Sequence, residues 1–228
     1  MKRYCWLFLF YFVFITPLSA QRNSDYGIFW GISYYMGDIN PSRMFYSPSP
    51  SFGAVYRVNL NPRQAIRTNF FYGGIKGNDL DFSNDYQQNR AASFTGKVIE
   101  WGVQFEFNFF PYSTAGKWWD YTPYFAAGGA LSFLTSPTLT YMPVIPVSLG
   151  FKINVYKNMG LEVEYGFRKT FYDNFDGLND NIDPDHYSWA HNNDWYMFTG
   201  VTLTWKMFHN LSSCPAYDDV NNTKKRRY

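Results

Sequence analysis

Aromatic side chains are unusually frequent in this chain of 228 residues, where 8 Trp, 20 Tyr and 23 Phe make up 22% of the sequence. The mean hydropathy is nevertheless −0.34, which excludes a bundle of transmembrane helices, because each such helix needs about 20 consecutive apolar residues. Only 17% of the residues are charged and the net charge is +2, so neither a disordered chain nor a basic, nucleic-acid-binding surface is expected.

The first 20 residues have the features of a secretory signal peptide. Lys2 and Arg3 form a basic start, residues 4–15 are an unbroken apolar and aromatic run, and the small pair Ser19-Ala20 follows. Such a run is too short to span a membrane as a helix. We therefore predict a signal peptide over residues 1–20. Its removal lowers the 20 basic residues to 18, equal to the 18 acidic residues.

Segments of the remaining chain alternate between large apolar residues and small or polar ones, as strands do when successive side chains point to opposite faces. In the cleanest segment, apolar residues from Ile99 to Phe109 alternate with small or polar ones from Glu100 to Asn108. In the first segment, Phe29 and Tyr35 break the pattern. The predicted strands are 26–36, 51–61, 66–73, 99–109, 121–134, 147–155, 160–170 and 195–207.

The lengths of the connections favour one architecture. Those at 61–63 and 156–158 are short, whereas those at 37–50, 77–92 and 172–193 are long, and 135–143 is also predicted to be a loop. Short turns and long loops on opposite ends are typical of bacterial outer-membrane barrels. We predict an all-β fold over residues 21–208, an eight-stranded antiparallel up-and-down transmembrane β-barrel with short periplasmic turns and longer extracellular loops. It would lie in the lipid bilayer of the Gram-negative outer membrane.

The alternatives are a soluble eight-stranded barrel such as a lipocalin, or a β-sandwich, and either would turn its apolar face inward. Small residues on the polar face favour the membrane barrel, whose narrow interior they suit. An interior of eight strands has room only for its own side chains. Charged side chains there are expected to pair and fill the barrel, because unpaired buried charges are costly. This predicted network consists of Arg57, Arg67, Glu100, Glu106, Lys152, Glu162, Glu164, Arg168 and Lys206.

The sequence does not favour an enzyme. It contains no nucleophile elbow, phosphate-binding loop or HExxH motif, and Ser188 with His186 or His191 is a weak candidate for lipid hydrolysis. The Asp-rich segment 173–194 is interpreted as a solvated acidic loop or a metal site, although its spacing matches neither an EF-hand nor a zinc motif. No cofactor is predicted.

Residues 209–228 are predicted to form a periplasmic tail. They are either a disordered end or a docking segment, in which Cys214 is a candidate for an intermolecular disulfide. Cys214 is the one cysteine that would remain after signal-peptide cleavage.

Several sequence blocks resemble a known family. In chain order they are SYYMGDINP from Ser33, SFGAVYRVNLNPRQAIRTN from Ser51, EFNFFPY from Glu106, TPY from Thr122, GFRKT from Gly166 and NNDWY from Asn192. Together they resemble the PorG family, outer-membrane β-barrels of the type IX secretion system of the Bacteroidetes. The segments 135–143 and 173–194 are shorter than the family suggests.

The resemblance implies a non-enzymatic role in protein secretion and gliding motility. The family is associated with a periplasmic ring of the lipoprotein PorK and its partner PorN, which it helps to anchor at the outer membrane. It implies no catalytic residues. The alternative is a structural or adhesive barrel of the OmpA or OmpX type, in which extracellular loops matter and the tail does not.

Overall fold

The computed structural model describes residues 23–37, 39–40, 43–135, 140–171 and 194–207. The predicted signal peptide, the tail with Cys214, and the segment containing His186, Ser188 and His191 lie outside the described residues. The strands are β1 (Ser24–Met36), β2 (Ser49–Asn61), β3 (Gln64–Asn78), β4 (Ser93–Asn108), β5 (Tyr121–Leu134), β6 (Thr140–Tyr156), β7 (Met159–Thr170) and β8 (Trp195–Lys206).

Each strand pairs antiparallel with the next, and β8 pairs with β1, so the sheet closes into an eight-stranded up-and-down barrel. The predicted fold class is confirmed. Between β3 and β4 lie a 3₁₀ turn (Asp79–Asp81) and a short helix, α1 (Asp85–Arg90). Within the described ranges, no helix is long and apolar enough to cross a membrane.

Three strands are much longer than predicted, and one of them, β4, begins at Ser93 and not at residue 99. β3 extends to Asn78. In its last part, Gly73, Gly74 and Gly77 hide the alternation of apolar and polar side chains. The predicted loop at 135–143 is wrong over residues 140–143, because β6 begins at Thr140. Its inward residues Met142 and Val144 are apolar, like their outward neighbours, so a period of two could not be seen there.

The two ends of the barrel differ. At the end that we call the turn end, tight turns join β2 to β3 and β6 to β7, and the segment 109–120 joins β4 to β5. We call the opposite end the loop end. It carries the connections of β1 to β2, β3 to β4, β5 to β6 and β7 to β8.

The outer wall of the barrel is apolar and exposed. Trp30 is 70% exposed and Trp101 is 53% exposed, and Ile28, Leu149 and Val163 share this face. A barrel that folded in water would bury such a face and expose its charges. The structure does the reverse, which contradicts the lipocalin alternative, and closure of the sheet contradicts the sandwich.

The interior near the loop end is aromatic rather than charged. Phe29 packs against Phe71 with ring centroids 4.8 Å apart, and Phe71 packs against Phe198 at 5.2 Å. Phe29 and Tyr35, which break the alternation in β1, are both fully buried members of this cluster. The prediction that charged residues fill the interior is therefore incomplete, since rings fill this part of it.

Glycine in the strands makes space for these rings. A methyl group at Gly53 would lie 2.2 Å from Cδ1 of Phe71 and 2.6 Å from the carbonyl oxygen of Phe70, whereas one at Gly129 would meet nothing within 4 Å. We expect Gly53→Ala to lower the free energy of unfolding in lipid vesicles by about 1–3 kcal/mol, because the ring and the strand must shift.

The matched control is Gly129→Ala, which should leave the urea unfolding curve nearly unchanged. Equal effects of the two substitutions would contradict tight packing around the Phe71 ring.

Candidate functional site

A network of charged side chains fills the interior near the turn end. Arg57 donates to both carboxylate oxygens of Glu162, at 2.7 Å from Nη1 and 2.7 Å from Nη2. Its Nε donates to Glu106 at 3.0 Å. Glu106 also accepts from Lys152, whose Nζ lies 3.1 Å from Oδ1 of Asn108. One carboxylate, Glu106, thus joins two cations.

A second fork lies beside the first. Arg67 donates to Glu164 through Nη1 at 2.7 Å and Nη2 at 2.8 Å, and its Nε donates to Gln104 at 2.9 Å. The Tyr124 hydroxyl donates to Glu164 at 2.8 Å. The Lys152 Nζ lies 4.3 Å from the centre of the Tyr124 ring. Bidentate pairs of this kind are the strongest charged contacts that proteins make.

Arg168 links the charged interior to the aromatic one. Its Nε lies 3.3 Å from both oxygens of Glu100, which also accepts from Tyr196 at 2.6 Å. Its guanidinium carbon lies 5.2 Å from the centre of the Phe71 ring and 5.0 Å from that of Phe198. Nη1 and Nη2 have no hydrogen-bond partner among the described residues, so the two rings are the main neighbours of that end of the side chain.

Asp25 completes the network at the turn end. Its carboxylate lies 3.3 Å from Nζ of Lys206 and accepts from Asn59 at 2.8 Å and from Thr114 at 2.9 Å. The structure therefore places every residue of the predicted network inside the barrel. Within this network five acids face five bases: Asp25, Glu100, Glu106, Glu162 and Glu164 against Arg57, Arg67, Lys152, Arg168 and Lys206.

Sequence reasoning missed several members of this network. Asp25 lies one residue before the first predicted strand, at a position whose side chain points into the barrel. Tyr124 and Tyr196 also occupy inward-pointing positions of their strands. Parity was the signal that could have found them. Aromatic side chains were instead expected to face outward.

The arrangement pairs its charges. Every acid named above contacts a cation, as in a structural ion-pair network. No cluster of metal-ligating side chains occurs in the part of the chain that the structure describes. The network near the turn end is thus packed, and the charges of its own members balance.

The β4–β5 connection closes the turn end. Tyr112 and Thr114 are buried, and the Tyr112 hydroxyl donates to Asn154 at 2.7 Å, while Thr114 reaches Asp25. Asn154 in turn donates to the carbonyl of Ser113 at 2.8 Å. The connection therefore folds over the mouth of the barrel and joins the network inside it.

The loop end is held by its own polar contacts, outside the strands. Arg90 donates to Asp79 at 2.7 and 2.8 Å, and the Ala92 amide donates at 3.0 Å. Burial opposes ionisation of Asp79, but these hydrogen bonds hold its pKa below the usual range. The pKa of Tyr46 is raised to about 12. The larger cause is burial of its hydroxyl, and the smaller is the 2.6 Å hydrogen bond that the hydroxyl donates to Asp81.

The Arg168–Glu100 pair offers a test of the network. Arg168→Met leaves Glu100 buried without its cation, and we expect the free energy of unfolding to fall by about 3–5 kcal/mol. Adding Glu100→Gln should recover most of this loss, because the uncompensated charge is removed. Urea unfolding of the single and double variants in lipid vesicles measures the coupling.

The matched control is Lys169→Met, because Lys169 is the next residue of β7 after Arg168 and lies on the opposite face of the strand. We expect it to cost less than about 1 kcal/mol. Additive effects of Arg168→Met and Glu100→Gln would contradict a buried ion pair.

Comparisons with known proteins find similar strand arrangements. Neisserial surface protein A aligns over 81% of this chain and 97% of its own, with 10% identity and a TM-score of 0.49. OprG of Pseudomonas aeruginosa aligns over 82% and 97%, with 10% identity and a TM-score of 0.42. Ail of Yersinia pestis aligns over 80% and 98%, with 12% identity and a TM-score of 0.40. Similarity at this level says nothing about function.

No curated protein sequence matches the chain. A family model, described as a domain of unknown function (DUF6089), matches residues 3–216, which is most of the sequence. The chain therefore belongs to the DUF6089 family.

Proposed function

We propose that this protein is a closed barrel of the Gram-negative outer membrane that serves as an anchor for other proteins and not as an enzyme or a channel. One observation carries the proposal, namely that the wall is apolar outside while the interior is filled by paired charges and rings. An apolar outer band suits lipid. A filled interior leaves the two ends as the surfaces through which the protein can act.

The turn end is the better candidate for contact with a partner. Three of the sequence blocks that resemble the PorG family meet there. The Tyr112 amide donates to the carbonyl of Pro62 at 2.9 Å, and the Asn108 amide donates to that of Arg63 at 2.7 Å. The Phe109 amide donates to the carbonyl of Pro123 at 3.1 Å. Blocks far apart in sequence thus form one continuous surface.

We infer a finer role from this surface and from the resemblance together. Short turns of outer-membrane barrels face the periplasm, so the turn end would face periplasmic proteins. The role is then that of an outer-membrane component of the type IX secretion system, including the gliding machinery. It would anchor or stabilise a periplasmic ring of the PorK and PorN type.

The second candidate is a structural or adhesive barrel of the OmpA or OmpX type. It is favoured by exposed apolar side chains in the described part of the loop end, where Met44, Leu80 and Tyr86 are more than half exposed. Such side chains outside the lipid-facing band can contact other surfaces.

A closed interior predicts that the barrel does not conduct ions. The full barrel, reconstituted in planar lipid bilayers, is expected to give no stable single-channel steps, because paired side chains occupy the path that water and ions would take. A porin in the same bilayers serves as the positive control. Stable steps would contradict the filled interior.

Partner capture separates the two candidate functions. In gently solubilised membranes, the wild-type protein is expected to recover ring proteins of the PorK and PorN type. Arg63→Glu combined with Lys157→Glu reverses two exposed charges at the turn end and should remove most of that recovery, because the contact surface becomes acidic.

The control changes the loop end instead, with Leu80→Ser and Tyr86→Ser, and should leave ring recovery intact. The anchor role would be contradicted if the wild-type protein recovered no ring proteins. It would also be contradicted if the turn-end variant recovered as many ring proteins as the wild type. Cell adhesion that is lost in the loop-end variant alone would favour the second candidate.

A further inference from the structure

A small open cleft lies at the rim of the turn end. It has a volume of about 310 Å³ and is lined by Phe110, Pro111, Trp119, Asp120 and Tyr121. Three of these residues carry aromatic rings and one carries a carboxylate. The network inside the barrel does not include any of these residues.

The cleft is continuous with the apolar outer wall. Tyr121, the first residue of β5, stacks on Phe151 with ring centroids 5.6 Å apart and an interplanar angle of 22°. Phe110 meets Tyr121 edge to face at 6.0 Å. All these rings are exposed. The cleft is therefore positioned where the lipid-facing surface meets water, the level at which Trp and Tyr concentrate in membrane proteins.

The backbone holds Trp119 in an unfavourable conformation. Its φ is 67°, in the left-handed region that bulky residues avoid. Its amide donates to the carbonyl of Asn154 at 3.1 Å, and the Asp120 carboxylate accepts from the Lys117 amide at 2.8 Å. The indole stays 60% exposed. Strain of this kind persists where surrounding contacts fix it, and it concentrates at functional sites.

We propose that this cleft binds the ammonium head group of phosphatidylethanolamine in the periplasmic leaflet. The faces of aromatic rings attract cations, Trp most strongly. The Asp120 carboxylate supplies the opposite charge and accepts hydrogen bonds, which a primary ammonium donates. The acyl chains would follow the adjoining wall past Tyr121 and Phe151. The proposal rests on the membrane placement proposed above.

Native mass spectrometry of the full barrel tests the proposal. Micelles contain either phosphatidylethanolamine or phosphatidylglycerol with the same acyl chains. Wild-type protein is expected to retain the first about fivefold more than the second. Asp120→Asn should abolish this preference, because it removes the charge while its amide oxygen can still accept from Lys117. Trp119→Asn should weaken it, and Asn tolerates the left-handed backbone.

The matched control is Trp118→Asn. Trp118 stacks on Trp119 at 6.1 Å but does not line the cleft, so the preference should survive its loss. Equal retention of the two lipids by wild-type protein would overturn the proposal, as would a preference that survives both Asp120→Asn and Trp119→Asn. Gel mobility with and without heating verifies that each variant is folded.

A separate measurement distinguishes failure of this proposal from failure of the membrane placement. Acyl chains labelled with bromine should quench the fluorescence of Trp30 and Trp101 on the outer wall. Quenching without a lipid preference would overturn the head-group site and leave the membrane barrel standing. Absence of quenching would overturn the membrane placement itself.

Discussion

The filling of a narrow interior is the constraint on which the rest of this structure depends. An eight-stranded barrel encloses room for its own side chains and little else, and here the wall presents its apolar face outward. Inward side chains must therefore be mutually satisfied. Arg57 and Arg67 each place both terminal nitrogens on one glutamate, Glu162 or Glu164 of β7. Since burying a charge without a partner costs several kcal/mol, balance among these groups is a condition for folding.

Two kinds of filling share the interior, and Arg168 stands between them. Its Nε contacts Glu100, while its planar end faces Phe71 and Phe198. A guanidinium suits this boundary because it can pair with a carboxylate at one edge and lie near aromatic rings with its faces. The charged and aromatic layers are therefore joined by Arg168 and by Tyr196, which donates to Glu100 and packs against Phe198.

Much of this fold follows from local sequence, because a strand's period of two is a local property. The inward parity of Arg57, Glu106 and Lys152 could be read from their neighbours, and so could the strands themselves. The pairing of each base with its acid could not be predicted from local sequence, because Arg57 on β2 and Glu162 on β7 meet only once the barrel has closed. The aromatic layer was missed for another reason. Phe29 and Tyr35 interrupt the alternation in β1, and two isolated interruptions do not reveal that the interior changes from charged to aromatic along its length.

The β4–β5 connection ties the interior to the surface. It reaches inward through Thr114, which donates to Asp25 of the network, and outward through Trp119 at the rim of the turn end. Between these, Asn154 of β6 accepts from Tyr112 and bonds to the backbone of Ser113 and Trp119. A segment anchored on both sides has little freedom to move away from the mouth. The contacts that close the barrel therefore also give the turn end a fixed shape, which the proposed anchor role requires of a surface that binds a partner.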